Sequence, residues 1–379
     1  MSKDIKRGLI LMGGGARAAY QIGVLKAVAE LHPRGDPTPF KIICGTSAGA
    51  INAISLATMA DNYHYSVAQM LRVWGNFRIP QVFQSDVKSI SKNALRWLVA
   101  LTLGGLGKRN PVAMLDRKPL RELLLRRLDF SRIQQVIDEG HLHAISVTAS
   151  GYGSGHSVTF YQGSDDIIPW SRVRRFGSHC PITIDHVMAS SAIPFLFEAV
   201  KLHREYFGDG SMRQMSPLSS ALHLGADRIL VIGNQREDEQ HRERSNTTEY
   251  PNFAQIAGHI LDSIFLDSLE ADLERLRRIN NTIDVIPSRH LKKTEVPLRK
   301  VDAYVLSPSV DISELAQDYL HELPRTIRYL LKGIGSSNKQ GSGLASYLLF
   351  EKGYCRELIR LGYQDAKQEQ AMLEQFLAD

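Results

Sequence analysis

A serine between two glycines stands at the junction of an apolar segment and a helix-like segment. The stretch reads Gly45-Thr46-Ser47-Ala48-Gly49, with the mostly apolar residues 40–44 before it. Small residues on both sides let the backbone turn sharply, so that the serine hydroxyl is exposed at the end of the strand. The five-residue pattern is common in unrelated chains, and its position between a strand and a helix is what makes Ser47 a candidate nucleophile.

The segments around this serine predict a parallel sheet covered by helices. A strand at residues 7–12 and a helix at 16–31 precede the strand and the helix (48–60) that flank Ser47, and this β-α-β-α order is typical of α/β folds. Residues 61–140 have a helical and irregular pattern, and we interpret them as an insertion over one end of the sheet. Further strands are predicted at 142–149, 157–162, 199–207, 228–233, 283–287 and 303–307.

The formal net charge of +6 is concentrated in the insertion, where thirteen Lys and Arg oppose seven Asp and Glu. Such a basic stretch with aromatic residues fits nucleic acid, an anionic lipid surface, or a solvated helical face. We take the lipid surface as the leading interpretation. The candidate membrane-binding residues are Lys88, Lys92, Arg96, Trp97, Lys108 and Arg109.

Other features of the chain bear on its location. No stretch has the length of an uncharged spanning helix, and the apolar run at residues 9–12 is shorter than the core of an export signal. The three cysteines are spaced neither for a disulfide framework nor for zinc. We therefore expect a cytoplasmic protein without a metal site.

A triple glycine, Gly13 to Gly15, follows the first predicted strand and precedes the first helix. Its backbone N–H groups would favour negative charge, which could belong to a phosphate, a dinucleotide or the oxyanion of an acyl-transfer intermediate. The dinucleotide spacing is present through Ala18, but the next strand ends in Cys44-Gly45 where an acidic residue is required. The phosphate and oxyanion interpretations remain open from these residues alone.

A serine nucleophile needs a base. In a Ser-His-Asp triad on an α/β-hydrolase sheet the elbow follows several strands, whereas one strand precedes that of Ser47, and no histidine stands in a recognisable motif. A second candidate is Asp209, whose flanking glycines 208 and 210 would let the carboxylate approach another loop closely. An ordinary Asp-Gly turn is the alternative.

Three stretches together resemble the patatin-like phospholipase family: Gly13-Gly14-Gly15-Ala16-Arg17, then Gly45-Thr46-Ser47-Ala48-Gly49, then Asp209-Gly210. The resemblance extends over residues 7–233 as spaced motifs, including Ala189-Ser190-Ser191-Ala192-Ile193-Pro194. Residues 343–350 and Gly362-Tyr363 are similar to the C-terminal part of bacterial members. Ala18 and Ser211 depart from the usual glycine or alanine, and neither departure removes a reacting group.

The resemblance implies a three-layer α/β/α fold with a mostly parallel central sheet, a helical insertion and a helical C-terminal extension. We expect a catalytic domain at residues 1–235, which includes the basic insertion at about 61–140. Residues 236–379 would form a mostly helical extension packed on the catalytic domain.

The resemblance also implies a Ser-Asp dyad without a catalytic histidine. Ser47 would be the nucleophile and Asp209 the base. The oxyanion donors would come from Gly13, Gly14 and Gly15, and Arg17 would buttress their loop. Gly45 and Gly49 would frame the elbow.

The implied activity is acyl-ester hydrolysis of phospholipids or lysophospholipids, without a metal or a diffusible cofactor. A soluble carboxylesterase or thioesterase is the alternative enzyme, and a lipid-binding regulatory module that has lost turnover is the alternative from another class. We expect an anionic membrane surface as a partner, no nucleic acid, and a cytoplasmic location that is peripheral on the inner face of the membrane. A dimer is compatible with the sequence.

Overall fold

A ten-stranded sheet forms the centre of the computed structural model, which describes residues 5–84, 113–234, 256, 258–262, 268–287, 298–333 and 342–378. Eight strands are hydrogen-bonded in the order β10-β9-β1-β2-β3-β4-β6-β5, and β8 pairs with both β3 and β7. The strands are β1 (Arg7–Leu11), β2 (Ile42–Thr46), β3 (Ala144–Gly151), β4 (Ser157–Gly163), β5 (Ser171–Arg172), β6 (Arg175–His179), β7 (Val200–Leu202), β8 (Glu205–Asp209), β9 (Arg228–Ile232) and β10 (Asp302–Leu306).

The helices of the described residues cover both faces of this sheet. They are α1 (Ala19–Leu31), α2 (Ala48–Ala57), α3 (Tyr63–Trp74), α4 (Lys118–Arg127), α5 (Arg132–Asp138), α6 (Ile184–Ser190), α7 (Ser219–His223), α8 (Ser268–Val285), α9 (Ile312–Tyr319), α10 (Arg325–Gly333), α11 (Ser342–Leu348), α12 (Lys352–Gln368) and α13 (Gln370–Leu377). Within the described ranges, no helix combines the length and the apolar character that crossing a bilayer requires.

The side chains of β1 alternate between two hydrophobic cores, which lie on opposite faces of the sheet. Leu9 and Leu11 of β1 lie in the core that includes α1, α2 and α12, whereas Ile10 and Met12 lie in the core beneath α7 and α8. Successive side chains of a strand point to opposite faces, so one apolar strand serves both layers. The predicted three-layer α/β/α fold is therefore confirmed.

The sheet is parallel from β10 through β9, β1 and β2 to β3, and it then becomes mixed. Antiparallel β4 covers one edge of β3. On the other edge, β2 ends at Thr46 opposite Thr148, and β8 pairs with the next residues of β3, which places Asp209 opposite Ala149. The end of β8 thus occupies the position that β2 leaves, directly beyond the strand that leads to Ser47.

Two local predictions differ from the structure. The predicted strand at residues 283–287 is wrong, because α8 runs to Val285 and Ile283 continues its buried stripe. The short strands β5 and β6 were not predicted. Their segment contains Arg172, Arg174 and Arg175, and it lacks the alternating apolar residues by which a strand is recognised.

The C-terminal helix α12 packs on α1 through two glycines. A Cβ atom at Gly23 would lie 2.0 Å from the carbonyl oxygen of Ile359, and one at Gly362 would lie 2.1 Å from that of Tyr20. The two backbones therefore meet where neither helix has a side chain. How the chain divides into domains near residue 235 stays a prediction.

We predict that Gly23→Ala lowers the free energy of unfolding by about 2 kcal/mol or more, because the added methyl group overpacks the contact with α12. An alanine in an open helical position instead stabilises by about 1 kcal/mol. Gly343→Ala is the matched control, since its Cβ would meet nothing closer than 3.8 Å. Urea unfolding of both variants measures the difference, and a Gly23→Ala protein as stable as the control would contradict the close contact.

Candidate active site

Ser47 occupies a strained turn between β2 and α2. Its φ of 55° and ψ of −128° lie outside the regions that side-chain-bearing residues favour. A Cβ at Gly45 would lie 2.5 Å from the carbonyl oxygen of Gly49, and a Cβ at Gly49 would lie 2.1 Å from that of Leu11. Glycine at both positions is what allows the turn to close against the end of β1.

The Ser47 hydroxyl donates a hydrogen bond of 2.6 Å to Oδ2 of Asp209. The other carboxylate oxygen accepts the N–H of Ser211 at 3.0 Å. Both members of the pair are buried, with relative exposures of 2% for Ser47 and 1% for Asp209. In the described part of the chain, no histidine is hydrogen-bonded to Ser47 or Asp209. The structure thus brings together the two residues that the sequence singled out.

Ser190 fixes the backbone of Ser47. Its hydroxyl accepts the N–H of Ser47 at 2.9 Å and donates to the carbonyl oxygen of Thr148 at 2.6 Å. Two residues later, the carbonyl oxygen of Ala192 accepts the N–H of Asp209 at 2.9 Å. The small-residue segment after α6 therefore holds both Ser47 and Asp209.

Arg117 locks this segment in place from the other side. Its guanidinium donates to the carbonyl oxygens of Met188 and Glu198, both at 2.8 Å, and to the hydroxyl of Ser191 at 3.1 Å. The planar, five-donor guanidinium suits such a set of acceptors, which a lysine could not span. Arg117 is buried, and its charge favours the ionised form of Asp209.

Burial raises the pKa of Asp209 to about 6, while the hydrogen bonds from Ser47 and Ser211 and the charge of Arg117 act in the opposite direction. A carboxylate with such a pKa is ionised at neutral pH and is a stronger base than an exposed one. The arrangement therefore provides a proton acceptor in direct contact with a serine hydroxyl.

The triple glycine runs beside this pair. A Cβ at Gly49 would also lie 2.7 Å from the carbonyl oxygen of Met12, the residue that precedes Gly13, so the start of α2 lies against the entry to the loop. Gly15 has a φ of +57°, and a Cβ there would lie 2.2 Å from the carbonyl oxygen of Tyr347. The loop conformation thus depends on glycine and on close contact with α11.

Asn234 fills the space beside Gly14. A Cβ at Gly14 would lie 2.2 Å from the Asn234 Nδ2 atom. That amide nitrogen is buried and has no hydrogen-bond acceptor among the residues that the structure describes. Because buried polar groups are nearly always paired, Asn234 is a further candidate donor next to the loop.

Arg17 ties the glycine loop to the C-terminal part of the chain. Its Nε donates to the hydroxyl of Ser346 at 2.8 Å, and one terminal nitrogen donates to that of Ser313 at 2.9 Å. The other terminal nitrogen lies 3.3 Å from Asp262 Oδ1, and the guanidinium lies 4.0 Å from the ring centroid of Tyr347. Arg17 is thus a fully buried structural support of the loop.

A second buried network joins the loop to α2. Gln21 Nε2 donates to the carbonyl oxygen of Met12 at 2.7 Å, and Asn52 Nδ2 donates to Gln21 Oε1 at 2.8 Å. The indole N–H of Trp74 donates a further hydrogen bond to Asn52 Oδ1 at 2.8 Å. These contacts fix the position of the glycine loop relative to α2, the helix that follows Ser47.

The sequence did not identify Arg117, Ser190 or Asn234 as site residues. Arg117 lies in the basic stretch that we interpreted as surface, and Ser190 was noted only as part of a family-like segment. The candidate membrane-binding residues lie outside the described residues: Lys88, Lys92, Arg96, Trp97, Lys108 and Arg109.

The chain is similar to a protein that is described as a phospholipase. A protein described as a cGAMP-activated phospholipase from Pseudomonas aeruginosa (strain BWHPSA011 / Pa011) is 25% identical over 221 residues, which are 57% of this chain and 55% of that protein. The chain thus matches about half the length of that relative.

Two solved structures are also similar, at low scores. VipD from Legionella pneumophila has 12% identity and a TM-score of 0.30, covering 93% of this chain and 66% of its own. The type III effector ExoU has 16% identity and a TM-score of 0.27, and the match covers 90% of this chain and 77% of the ExoU chain. Scores in this range carry no argument about the fold.

The family assignment rests on the sequence profile of patatin-like phospholipases, which matches residues 9–222. The match is more than half of the chain, and it contains the glycine loop, Ser47 and Asp209. The chain therefore belongs to the patatin-like phospholipase family.

Proposed function

We propose that the protein hydrolyses acyl-ester bonds of phospholipids or lysophospholipids, with Ser47 as nucleophile and Asp209 as base. The observation that carries the proposal is the 2.6 Å hydrogen bond between the Ser47 hydroxyl and Asp209 Oδ2 inside the strained elbow. The family assignment and the phospholipase relative support the reaction class. The site of action that we propose is an anionic membrane surface reached from the cytoplasm.

The geometry suits a two-step acyl transfer. Asp209 takes the hydroxyl proton as Ser47 attacks the ester carbonyl, and the same proton then passes to the leaving alcohol. A water molecule then gives a proton to Asp209 as it attacks the acyl-serine, and Asp209 passes that proton to the Ser47 oxygen as the bond to the fatty acyl group breaks. The backbone N–H groups of Gly13 to Gly15 are the proposed donors to the oxyanion, and the N-terminus of α2 adds its positive dipole end.

A cavity of about 240 Å³ supports a lipid substrate, because its lining is mainly apolar and includes Gln69, Arg126 and Arg127 as polar members. Ile51, Ser55 and Met59 line it and follow Ser47 at four-residue intervals. Ile51 and Ser55 therefore lie on the face of α2 that continues from Ser47. The walls include Met70 and Trp74 of α3, and Leu123, Leu124 and Leu128 of the α4 region. We propose that the acyl chain lies in this cavity, whose nearest residue is about 6 Å along the helix from Ser47.

The dyad predicts that Ser47→Ala and Asp209→Asn each lower hydrolysis of a p-nitrophenyl ester by about 10⁴-fold or more, and that the double variant is no worse than either. Wild-type protein should be labelled covalently by a fluorophosphonate on Ser47. Circular dichroism and melting temperature provide the folding control. A well-folded Asp209→Asn protein that retains turnover would assign the base to another residue.

The pKa of Asp209, about 6, predicts the dependence of activity on pH. We expect kcat/KM for a soluble ester to rise through pH 6 and to level off above it, because only the carboxylate accepts the proton. A profile without an inflection between pH 5 and pH 7 would contradict Asp209 as the base.

The raised pKa also predicts how stability changes with pH. The folded protein binds the Asp209 proton more tightly than the unfolded chain, so this group's contribution to stability falls as pH rises from about 4 to 6. Relative to the wild type, Asp209→Asn should therefore gain up to about 3 kcal/mol above pH 6, and the gain should vanish near pH 4. Urea unfolding at both pH values measures it, and a constant difference would contradict the raised pKa.

The acyl-chain cavity predicts a change in chain-length preference. Ser55→Phe should fill the cavity and lower kcat/KM for p-nitrophenyl laurate about tenfold or more, because buried methylene groups each contribute about 0.8 kcal/mol. Turnover of p-nitrophenyl acetate should change by less than twofold. Ser55→Ala, which leaves the cavity open, is the matched control. If Ser55→Phe lowered the activity on both esters equally, the proposal that the acyl chain lies in this cavity would be contradicted.

A further inference from the structure

Three hairpin turns lie at the carboxyl edge of the sheet, where Ser47 and Asp209 also lie. They are the β3–β4 turn, the β5–β6 tip and the β7–β8 tip. The strand register fixes this common position, because the start of β4 and the start of β8 both pair with the carboxyl end of β3. The start of β6 in turn pairs with the start of β4, at Arg175 and Ser157.

The backbone is strained at this edge. Four non-glycine residues in the described part of the chain have a positive φ, and one of them is Ser47. The other three are Arg174 at the β5–β6 tip, His203 at the β7–β8 tip, and Phe195 in the segment after α6, with φ values of 56°, 52° and 65°. Glycine adopts this conformation without cost, whereas these side chains do not. Strained backbone that persists clusters at functional sites.

The three strained residues other than Ser47 are exposed, and exposed apolar and cationic side chains lie at the same positions of the chain. Val173 is 88% exposed and Phe195 is 73% exposed. The cations of the two tips are also exposed, and none forms an ion pair with a carboxylate in the described ranges. We call this the edge surface, and it consists of Arg172, Val173, Arg174, Phe195, His203 and Arg204.

The acidic residue that directly follows the β7–β8 tip, Glu205, has a hydrogen-bond partner within the fold. Glu205 Oε1 accepts the N–H of Ser154 at 2.5 Å, so this carboxylate holds the β3–β4 turn. The six residues of the edge surface include three arginines and no acidic residue, and this composition matches an anionic partner. Its prominent apolar side chains distinguish it from a purely ionic phosphate site, because such side chains enter the boundary between headgroups and acyl chains.

We propose that the edge surface docks the protein on an anionic lipid bilayer. Val173 and Phe195 enter the headgroup region, and Arg172, Arg174 and Arg204 lie against the lipid phosphates. This docking presents the carboxyl edge of the sheet, and hence Ser47, to the membrane. The proposal rests on the proposed function for its choice of a lipid partner, and it uses none of the residues in 85–112.

Glycine substitutions separate docking from folding. Arg174→Gly and Phe195→Gly each relieve a positive φ, so the melting temperature should stay equal or rise. Arg34→Gly is the matched control for charge, because Arg34 is exposed in the turn before β2, at the opposite edge of the sheet. All variants are made in the Ser47→Ala background, so that vesicle lipid is not consumed.

The measurement is co-sedimentation with vesicles of phosphatidylcholine containing 30% phosphatidylglycerol. We expect Arg174→Gly to lower the vesicle–water partition coefficient about fivefold. The combined variant, Arg174→Gly with Phe195→Gly, should lower it further, and Arg34→Gly should leave it unchanged. Equal binding by the combined variant and the parent would overturn the proposal, as would a loss of the same size in Arg34→Gly.

Hydrolysis of p-nitrophenyl butyrate by the same variants with Ser47 restored tests the proposed function separately. Turnover of Arg174→Gly within twofold of the wild type is expected, because Arg174 belongs to the β5–β6 tip and not to the segment after α6 that holds Ser47 and Asp209. If the wild type does not hydrolyse the ester while the vesicle results hold, the proposed function fails and the docking surface stands. If turnover is normal while the substitutions leave vesicle binding unchanged, the docking surface fails alone.

Discussion

The close approach of backbone to backbone at three glycines is the constraint on which the rest of the site depends. Gly45 and Gly49 let α2 begin against the end of β1, and Gly210 lets β8 end against β3, where a Cβ would lie 2.1 Å from the carbonyl oxygen of Thr148. No side chain separates these segments. The glycine loop, the nucleophile and the acid come from distant parts of the chain, and they meet because their backbones touch.

The buried carboxylate of Asp209 has opposite effects on chemistry and on stability. Burial makes Asp209 a better base, and the same burial makes its ionised form costly for the fold. The surrounding residues limit that cost with one hydrogen bond from a hydroxyl, one from a backbone N–H and the charge of Arg117. The protein thus accepts a local loss of stability at the residue that we propose as the base, as functional sites commonly do.

Much of the fold and the centre of the site could be predicted from the sequence because they depend on local patterns. The alternation of strand and helix around Ser47 is short-range, and glycines at the elbow have a direct steric reason. Arg117 could not be predicted, because its acceptors are backbone carbonyls 71 and 81 residues away and burial of an arginine leaves no local pattern. The β5 and β6 strands escaped notice because cations occupy positions where apolar residues mark a strand.

The bonds of Arg17 have a consequence for the order in which the site forms during synthesis. Its hydroxyl partners, Ser313 and Ser346, follow it by 296 and 329 residues. A ribosome adds about 5 to 20 residues per second, so the glycine loop waits many seconds for the groups that hold it. Ser47 and Asp209 leave the ribosome before those groups do. A nascent chain therefore carries Ser47 and Asp209 before the loop beside them is held. The newly made protein acquires the complete candidate site only after α11 has been translated.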